Sequence, residues 1–265
     1  MTANKGKVIL AGAGPGDAEL ITVKLQRRLS EADIIITDRL VNPDIITAYA
    51  SKNAIIILAA KQGYNEASVS QGEINQLIIT HAKSGKIVLR LKGGDVSFFS
   101  NVRDELQSIV EAGIEFEIIP GITAAAGASA YTGIPLTARG ISQAVQFLTF
   151  NPNSYYSVEK WKSLLYTNDT LVFYMAAKNV STLAELLLHY TDKPQTPLAV
   201  IEQATTIHQQ VYVTTLENCT SDFAEKKFCS PSLVIVGEVV KLHEQFNWFN
   251  GNKEVGSIFN ELVIK

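Results

Sequence analysis

The sequence predicts an α/β protein of two domains, with a parallel sheet in the first and a mixed sheet in the second. Three observations carry this. Through the first half, short β-branched runs alternate with amphipathic stretches, which is the pattern of βαβ units. Those runs are apolar throughout instead of alternating, as expected when helices cover both faces of a parallel sheet. In the second half, Leu198–Glu202 and Gln210–Thr214 are separated by only a few polar residues. That connection is too short for a crossover helix, so the pair reads as antiparallel.

Taken in order, Val8–Ala11 reads as a strand, Glu19–Leu29 as a helix, Ile34–Thr37 as a strand, Asp44–Tyr49 as a short helix and Ile55–Leu58 as a strand. Ser70–Lys83 carries the clearest helix signal. Ser70 and Glu73 form a capping box, and Gly85 stands just past the end, where a left-handed residue is wanted. Ile87–Leu91, a helix near Asp104–Glu111 ended by Gly113, and Glu115–Ile119 complete the half. Pro120-Gly121 then breaks the pattern, and the small, alanine-rich Ile122–Tyr131 suits a tightly packed helix. Beyond it, strands are predicted at Val145–Thr149, Leu171–Tyr174, Leu198–Glu202, Gln210–Thr214 and Leu233–Val236, with helices at Val158–Leu165 and Val180–His189. The break at Pro120 sets a first domain over residues 1–120 and a second over 121–265, with the active site expected in a cleft between them. The tail from Phe246 to Lys265 receives no assignment.

Composition narrows the function. Of 265 residues, 46% are hydrophobic and 18% charged, enough for a buried core and far from a disordered chain. The 23 Lys+Arg against 26 Asp+Glu give a net charge of −3, without the basic footprint of a duplex-binding protein. The longest apolar runs, such as Ala54 to Ala60, fall well short of a membrane span, and the residues before Gly12 are too few for a signal-peptide core. Cys219 and Cys229 have no CxxC spacing and no nearby histidine pair, which excludes a disulfide framework or a zinc site. A cytoplasmic enzyme acting on a small molecule, with no metal, no nucleic acid and no membrane, is the expectation.

Three glycine-bearing loops follow predicted strands: Gly12-Ala13-Gly14-Pro15-Gly16-Asp17, Lys92-Gly93-Gly94-Asp95 and Pro120-Gly121-Ile122-Thr123-Ala124. The first invites comparison with a dinucleotide fingerprint, with Asp33 or Asp38 as the ribose acid. Two details argue against that reading. Asp17 stands where the third glycine should, and Pro15 removes a backbone N–H from an anion-binding turn. A tight turn holding no ligand is the plain alternative, and Gly-Gly-Asp alone is usually only a turn. Three such loops at strand ends, in order, point instead to a ligand crevice at the carboxyl edge of the sheet.

The same residues carry a family resemblance. Val8–Asp17, Ala32-Asp33 through Asp38-Arg39-Leu40-Val41, and Lys61 with Gly63-Tyr64 closely resemble the uroporphyrinogen-III C-methyltransferases. So do Gln71–Gln76 (QGEINQ), Arg90–Asp95 (RLKGGD), Pro120–Ala125 (PGITAA) and Ala130–Thr137 (AYTGIPLT), with Tyr174-Met175 and Leu198–Thr205 extending the match over roughly residues 7 to 240. The resemblance implies two α/β domains with the cofactor between them, a homodimer, S-adenosylmethionine as methyl donor and uroporphyrinogen III as acceptor. Methylation at C-2 and C-7 would give precorrin-2, the branch point to sirohaem and cobalamin, leaving S-adenosylhomocysteine. Carried over by position, the donor contacts are Pro15, Gly93, Gly94, Asp95, Phe98, Thr123, Ala124, Met175 and Ala204. Asp38 corresponds to the general base and Lys61 to the proton donor, while Arg39 and Arg139, with Lys61, are the cations placed to meet the acceptor's carboxylates. Each has an ordinary alternative: a solvated acid or lysine for Asp38 and Lys61, a surface ion pair for the arginines, and a core position for Met175.

This chain departs from the family pattern around the acceptor. Gly-Gly-Asp-Pro becomes Gly93-Gly94-Asp95-Val96, and a Phe-Gly-Arg-Gly segment becomes Phe99-Ser100-Asn101-Val102. Thr-His-Arg becomes Thr137-Ala138-Arg139, and Thr-Gly-His becomes Thr149-Phe150-Asn151. A later precorrin methyltransferase and a non-catalytic S-adenosylmethionine-binding paralogue are therefore the competing readings, with a nicotinamide dehydrogenase behind them. The matching motifs begin at Val8 and fill the chain, so the dehydrogenase–ferrochelatase module of some relatives is not expected within it.

Overall fold

Runs of isoleucine and valine too short to be helices send the chain repeatedly through one sheet, and helices return it along both faces. The computed structural model describes residues 6–59, 70–153, 156–251 and 256–259. Contacts divide the chain into two units that meet in sequence between Thr123 and Ala124, just past the expected break. Ser257–Phe259, expected with the second domain, group with the first unit.

The first unit holds β1 (Lys7–Gly12), β2 (Ile34–Thr37), β3 (Ile55–Leu58), β4 (Ile87–Lys92) and β5 (Glu115–Ile119), in the order β3-β2-β4-β1-β5. Every pairing is parallel. Helices α1 (Val23–Glu31) and α2 (Pro43–Tyr49) bury Leu25, Leu29 and Ile45 against Ile9, Ile35 and Leu89 on one face. Helices α3 (Gln71–Lys83) and α4 (Val102–Glu111) bury Ile74, Ile78 and Ile109 against Val8, Leu10, Ile36 and Val88 on the other. Burial on both faces holds for the central strands only. At the edges, Ile55, Phe116 and Ile118 remain exposed, because an edge strand has a neighbour on one side alone.

Two helix starts follow from their caps. The helix expected from Glu19 begins at Val23, because two successive caps divide the segment. Asp17 accepts the Glu19 N–H at 2.9 Å and closes a single 3-10 turn, Ala18–Leu20. Thr22 accepts the Leu25 N–H at 3.1 Å and starts α1 proper. The capping box on α3 forms in full: the Ser70 N–H donates to Glu73 at 2.6 Å, and the Glu73 N–H donates to the Ser70 hydroxyl at 3.2 Å. Such a cap contributes about 1 kcal/mol, and Gly85 takes the left-handed φ of +83° that ends the helix.

Glu117 on β5 gathers Lys24 at 2.6 Å, Lys7 at 3.0 Å and Arg28 at 3.1 Å. The hydrogen bond from Lys24 is the largest influence, and with those from Lys7 and Arg28 it outweighs burial and lowers the carboxyl from 4.5 to about 2. A carboxyl depressed in this way stabilises the fold above its unfolded pKa and loses that contribution as pH falls through its folded one. Glu117→Gln is therefore expected to lower the urea midpoint at pH 7. The gap to the wild type should close between pH 4.5 and about 2, and a gap that persists at the acid end would exclude this origin.

The second unit opens with α5 (Ala124–Thr132), then β6 (Val145–Thr149), α6 (Val158–Tyr166), β7 (Thr170–Tyr174), α7 (Val180–Tyr190), β8 (Pro197–Glu202), β9 (Gln210–Thr215) and β10 (Ser232–Val236). Its sheet runs β6-β7-β10-β8-β9, with β6/β7 parallel and the remaining pairs antiparallel, so it is mixed as the short 202–210 connection requires. The small side chains of α5 let Ala125 and Ala128 pack against Val172, Ala199 and Ile235. Two short helices, Cys219–Asp222 and Leu242–Phe246, are too brief to leave a periodic signal. Trp248 and Phe249 of the tail seat on the end of α5. The Trp248 indole N–H donates to Ala130 O at 2.8 Å, and the Tyr131 ring meets Trp248 and Phe249 at 5.3 and 4.9 Å. Cys219 is buried, and burial pushes its thiol up to about 11; Cys229 is exposed and both are free. Among the described residues no His/Cys/Asp/Glu group is arranged to hold a metal, and no helix is long and apolar enough to cross a membrane.

Candidate functional site

The three glycine loops close the carboxyl ends of β1, β4 and β5, neighbours in the first sheet, and there they interlock through the main chain. The Ala13 N–H donates to Lys92 O at 2.8 Å, the Gly14 N–H to Gly94 O at 3.0 Å, and the Gly94 N–H to Gly14 O at 2.7 Å. Asp95 ties in the third loop, its Oδ2 accepting the Gly121 N–H at 2.8 Å while Oδ1 accepts the Ser97 N–H at 2.8 Å. The approach is too close for side chains. A Cβ on Gly12 would lie 2.5 Å from Gly94 O and 2.8 Å from the Gly121 N, and one on Gly121 would collide with Gly94 O and lie 2.8 Å from the Gly12 Cα. These glycines are therefore required by contact, and Gly14, at φ +80°, also by conformation.

This geometry decides the dinucleotide question. A phosphate cradle needs free N–H groups, and those of Ala13, Gly14, Gly94 and Gly121 are already spent within the protein. Pro15, buried at the turn, has none to offer. Asp33 accepts the Ile87 N–H at 2.8 Å and so braces a strand end. What remains is bare backbone beside a carboxylate, which suits a ligand that is neutral or cationic where it meets these loops.

Asp38 follows β2, and its neighbour loop is fixed against the cradle: a Cβ on Gly93 would lie 2.7 Å from Leu40 O. The Asp38 side chain, 29% exposed, accepts from Arg90 Nη2 at 2.6 Å. It is thus not the merely solvated acid of the alternative reading. Phe98 lies beyond Asp95, 37% exposed, with its ring edge-on to Phe99 at 6.5 Å. Thr123 and Ala124 are half-buried, and Arg39 is exposed. Lys61 lies outside the described residues.

In the second unit Met175 follows β7 with 65% of its surface exposed and φ at +59°, which excludes the core alternative. Ala204 follows β8, buried between Gln203 and Thr205, whose φ values are +46° and +70°. Arg139 sits exposed in the turn closed by Ala138 and Ser142. Non-glycine residues in left-handed backbone are costly and collect at functional loops. Those described, Phe99, Asn101, Met175, Gln203 and Thr205, all lie in loops that follow β4, β7 or β8.

Several residues with a part in this geometry escaped the sequence reading. Asn42 caps α2 by accepting the Asp44 N–H at 2.9 Å and donates to Gly16 O at 2.8 Å, which joins the β1 and β2 loops. Arg90, Lys92 and Glu105 form a buried charge cluster behind Asp38. Burial opposes the charge on Arg90, but Asp38 and Glu105 outweigh it and hold the guanidinium above its ordinary pKa. Burial, joined by the charge of Arg90, lowers Lys92. The available signal was two cations, at i and i+2, inside an otherwise apolar central strand, since buried charges demand partners.

Comparison with known proteins gives a consistent result. A family profile described as Tetrapyrrole (Corrin/Porphyrin) Methylases matches residues 7–220. The siroheme synthase of Acinetobacter baylyi is 43% identical over 247 residues, covering 93% of this chain and 54% of that protein. The siroheme synthase of Pseudomonas putida is 41% identical over 249 residues, covering 94% and 53%. The chain therefore spans about half the length of the curated relatives it matches. Among solved structures, the uroporphyrin-III C-methyltransferase of Thermus thermophilus superposes with a TM-score of 0.76 at 30% identity, covering 93% of this chain and 98% of that one. The same enzyme complexed with S-adenyl homocysteine gives 0.74 at 30%, covering 89% and 94%. A cobalt precorrin-4 methyltransferase shares the fold, with a TM-score of 0.78 at 22% identity over 88% of this chain and 95% of that one.

Proposed function

We propose, from the premise that this chain belongs to the tetrapyrrole (corrin/porphyrin) methylases, that it methylates uroporphyrinogen III at C-2 and C-7 with S-adenosylmethionine, yielding precorrin-2 for sirohaem formation. The observation that supports this most is the interlocked cradle of Gly12, Gly14, Gly94 and Gly121. It has no anion nest, no Cβ to block close approach, and a buried carboxylate, Asp95, for an ammonium or hydroxyl donor. These residues fit a sulfonium donor with an amino-acid tail. Pro15, Gly93, Gly94, Asp95, Phe98, Thr123, Ala124, Met175 and Ala204 are assigned to hold it. When bound, the donor supplies an electrophilic methyl group.

The chain's own residues then have modest covalent work. Holding the nucleophilic pyrrole carbon at attack distance supplies most of the acceleration, since effective molarities can reach ~10⁵ M or more. Asp38 accepts the proton released from the alkylated macrocycle, a contribution of ~10²–10⁴-fold. Lys61 is assigned as proton donor, and Arg39 and Arg139 meet the acceptor's carboxylates.

The deciding experiment is an anaerobic assay with S-adenosylmethionine and freshly reduced uroporphyrinogen III, read by mass spectrometry. A product heavier by two methyl groups is expected. Absence of methylation despite tight S-adenosylhomocysteine binding would overturn the acceptor assignment and favour another tetrapyrrole, in keeping with the altered loops at Val96, Asn101 and Ala138.

A further inference from the structure

Behind Asp38 lies a group of charges that the proposed chemistry does not itself require. Arg90 is 2% exposed, Lys92 5% and Glu105 not at all, whereas Asp38 is 29% exposed. Four charges are thus linked in series, and Asp38 alone reaches the surface. Arg90 uses all three of its nitrogens: Nη2 donates to Asp38 Oδ1 at 2.6 Å, Nε to Glu105 Oε1 at 3.0 Å, and Nη1 to Ile36 O at 3.3 Å and Leu91 O at 3.2 Å. Glu105, on α4, is gripped in turn by Lys92 Nζ at 2.9 and 3.0 Å and by Gln71 Nε2 at 3.4 Å. The cluster therefore spans β4, α4 and α3 and ends on the loop after β2.

Stability alone does not account for this cluster. Replacing a buried ion cluster by apolar residues of similar volume is often neutral or stabilising, because desolvation offsets the Coulomb attraction. What an apolar replacement cannot do is fix a carboxylate in direction. A guanidinium held by four bonds has no free torsion, so the Asp38 oxygen it grips is fixed too. The Asp38 main chain is likewise restrained, by the Asp38 N–H to Leu91 O at 3.3 Å and the Val41 N–H to Asp38 O at 3.1 Å.

We infer that Arg90, braced by Glu105 and Lys92, is a positioning residue that aims the Asp38 carboxylate for proton removal. The inference rests on the functional reading above and adds a residue to it. Arg90, 2% exposed, acts through Asp38. Lysine at this position keeps the charge but loses the fork.

The test is a double-mutant cycle in the full chain. Arg90→Lys is expected to lower kcat about 10- to 100-fold, the scale of an ångström-sized misplacement, with the S-adenosylhomocysteine Kd unchanged within about twofold. Added to Asp38→Ala, it should cost nothing further, because the group it aims is gone. Full additivity, or a parallel loss of donor affinity, would overturn the inference and leave a structural role. A crystal structure of Arg90→Lys decides the matter independently of turnover: a displaced Asp38 carboxylate is expected, and an unmoved one sinks the inference. Wild-type protein that forms no product sinks the functional reading instead. If Arg90→Lys does not fold, Glu105→Gln weakens the brace isosterically, and a fall in kcat without a fall in donor affinity is the result required.

Discussion

Gly121→Ala is expected to weaken S-adenosylhomocysteine binding about 10- to 100-fold while the protein remains folded. The added Cβ would collide with Gly94 O and stand 2.8 Å from the Gly12 Cα, and both neighbours are main chain held by hydrogen bonds. Neither can swing aside as a flexible side chain would, so the loops must part. Overpacking of this kind costs ~1–3 kcal/mol, which is roughly 5- to 150-fold if it falls wholly on the bound geometry. The same cost lowers the melting temperature by no more than about 10 °C in a chain of this size. Calorimetry and a thermal melt on one preparation separate the two effects. Wild-type affinity in the variant would mean that the three loops do not act as one cradle.

Asp38→Ala should slow methylation by ~10²–10⁴-fold and leave donor affinity within about twofold of wild type. The side chain lies after β2, is partly exposed, and is held by Arg90 at 2.6 Å. The split between kcat and Kd is what assigns the role. Equal loss of donor binding would move Asp38 from proton removal to the donor's pocket. Removing it also leaves Arg90 buried with one anionic partner fewer, so a drop in stability is expected and must be measured beside the rate.

Much of the fold was legible because the punctuation is local. Ile34–Thr37 and Ile55–Leu58 are β-branched runs bounded by turn residues, Glu115–Ile119 and Val145–Thr149 interleave polar with apolar residues, and the structure reproduces the limits of all four. The start of α1 differs from the expected one because Leu20 and Ile21 continue the apolar spacing of Leu25 and Leu29, while the decisive signals, Asp17 and Thr22, act through side-chain caps. The glycine loops were legible as features, but their mutual hydrogen bonds depend on strand order, which brings β1 between β4 and β5. The Arg90–Glu105 contact joins a strand to a helix packed over it and was hidden for the same reason. Pairing across elements is a tertiary fact, and a single sequence states only that Arg90 and Lys92 must find anions somewhere.

The cradle is written in peptide groups: its contacts run from amide to carbonyl at Ala13, Gly14, Lys92 and Gly94, and Asp95 contributes the side chain that ties in Gly121. Most substitutions around it therefore leave it unaltered, provided the glycines and that one acid stay. Asn101, exposed in the loop before α4, lies outside this set, where a change of side chain alters the surroundings without undoing the cradle. A chain built this way can drift in what it accepts at the rim while the machinery at the centre stays as it was. Variation is steered away from the shared step and toward the choice of partner molecule.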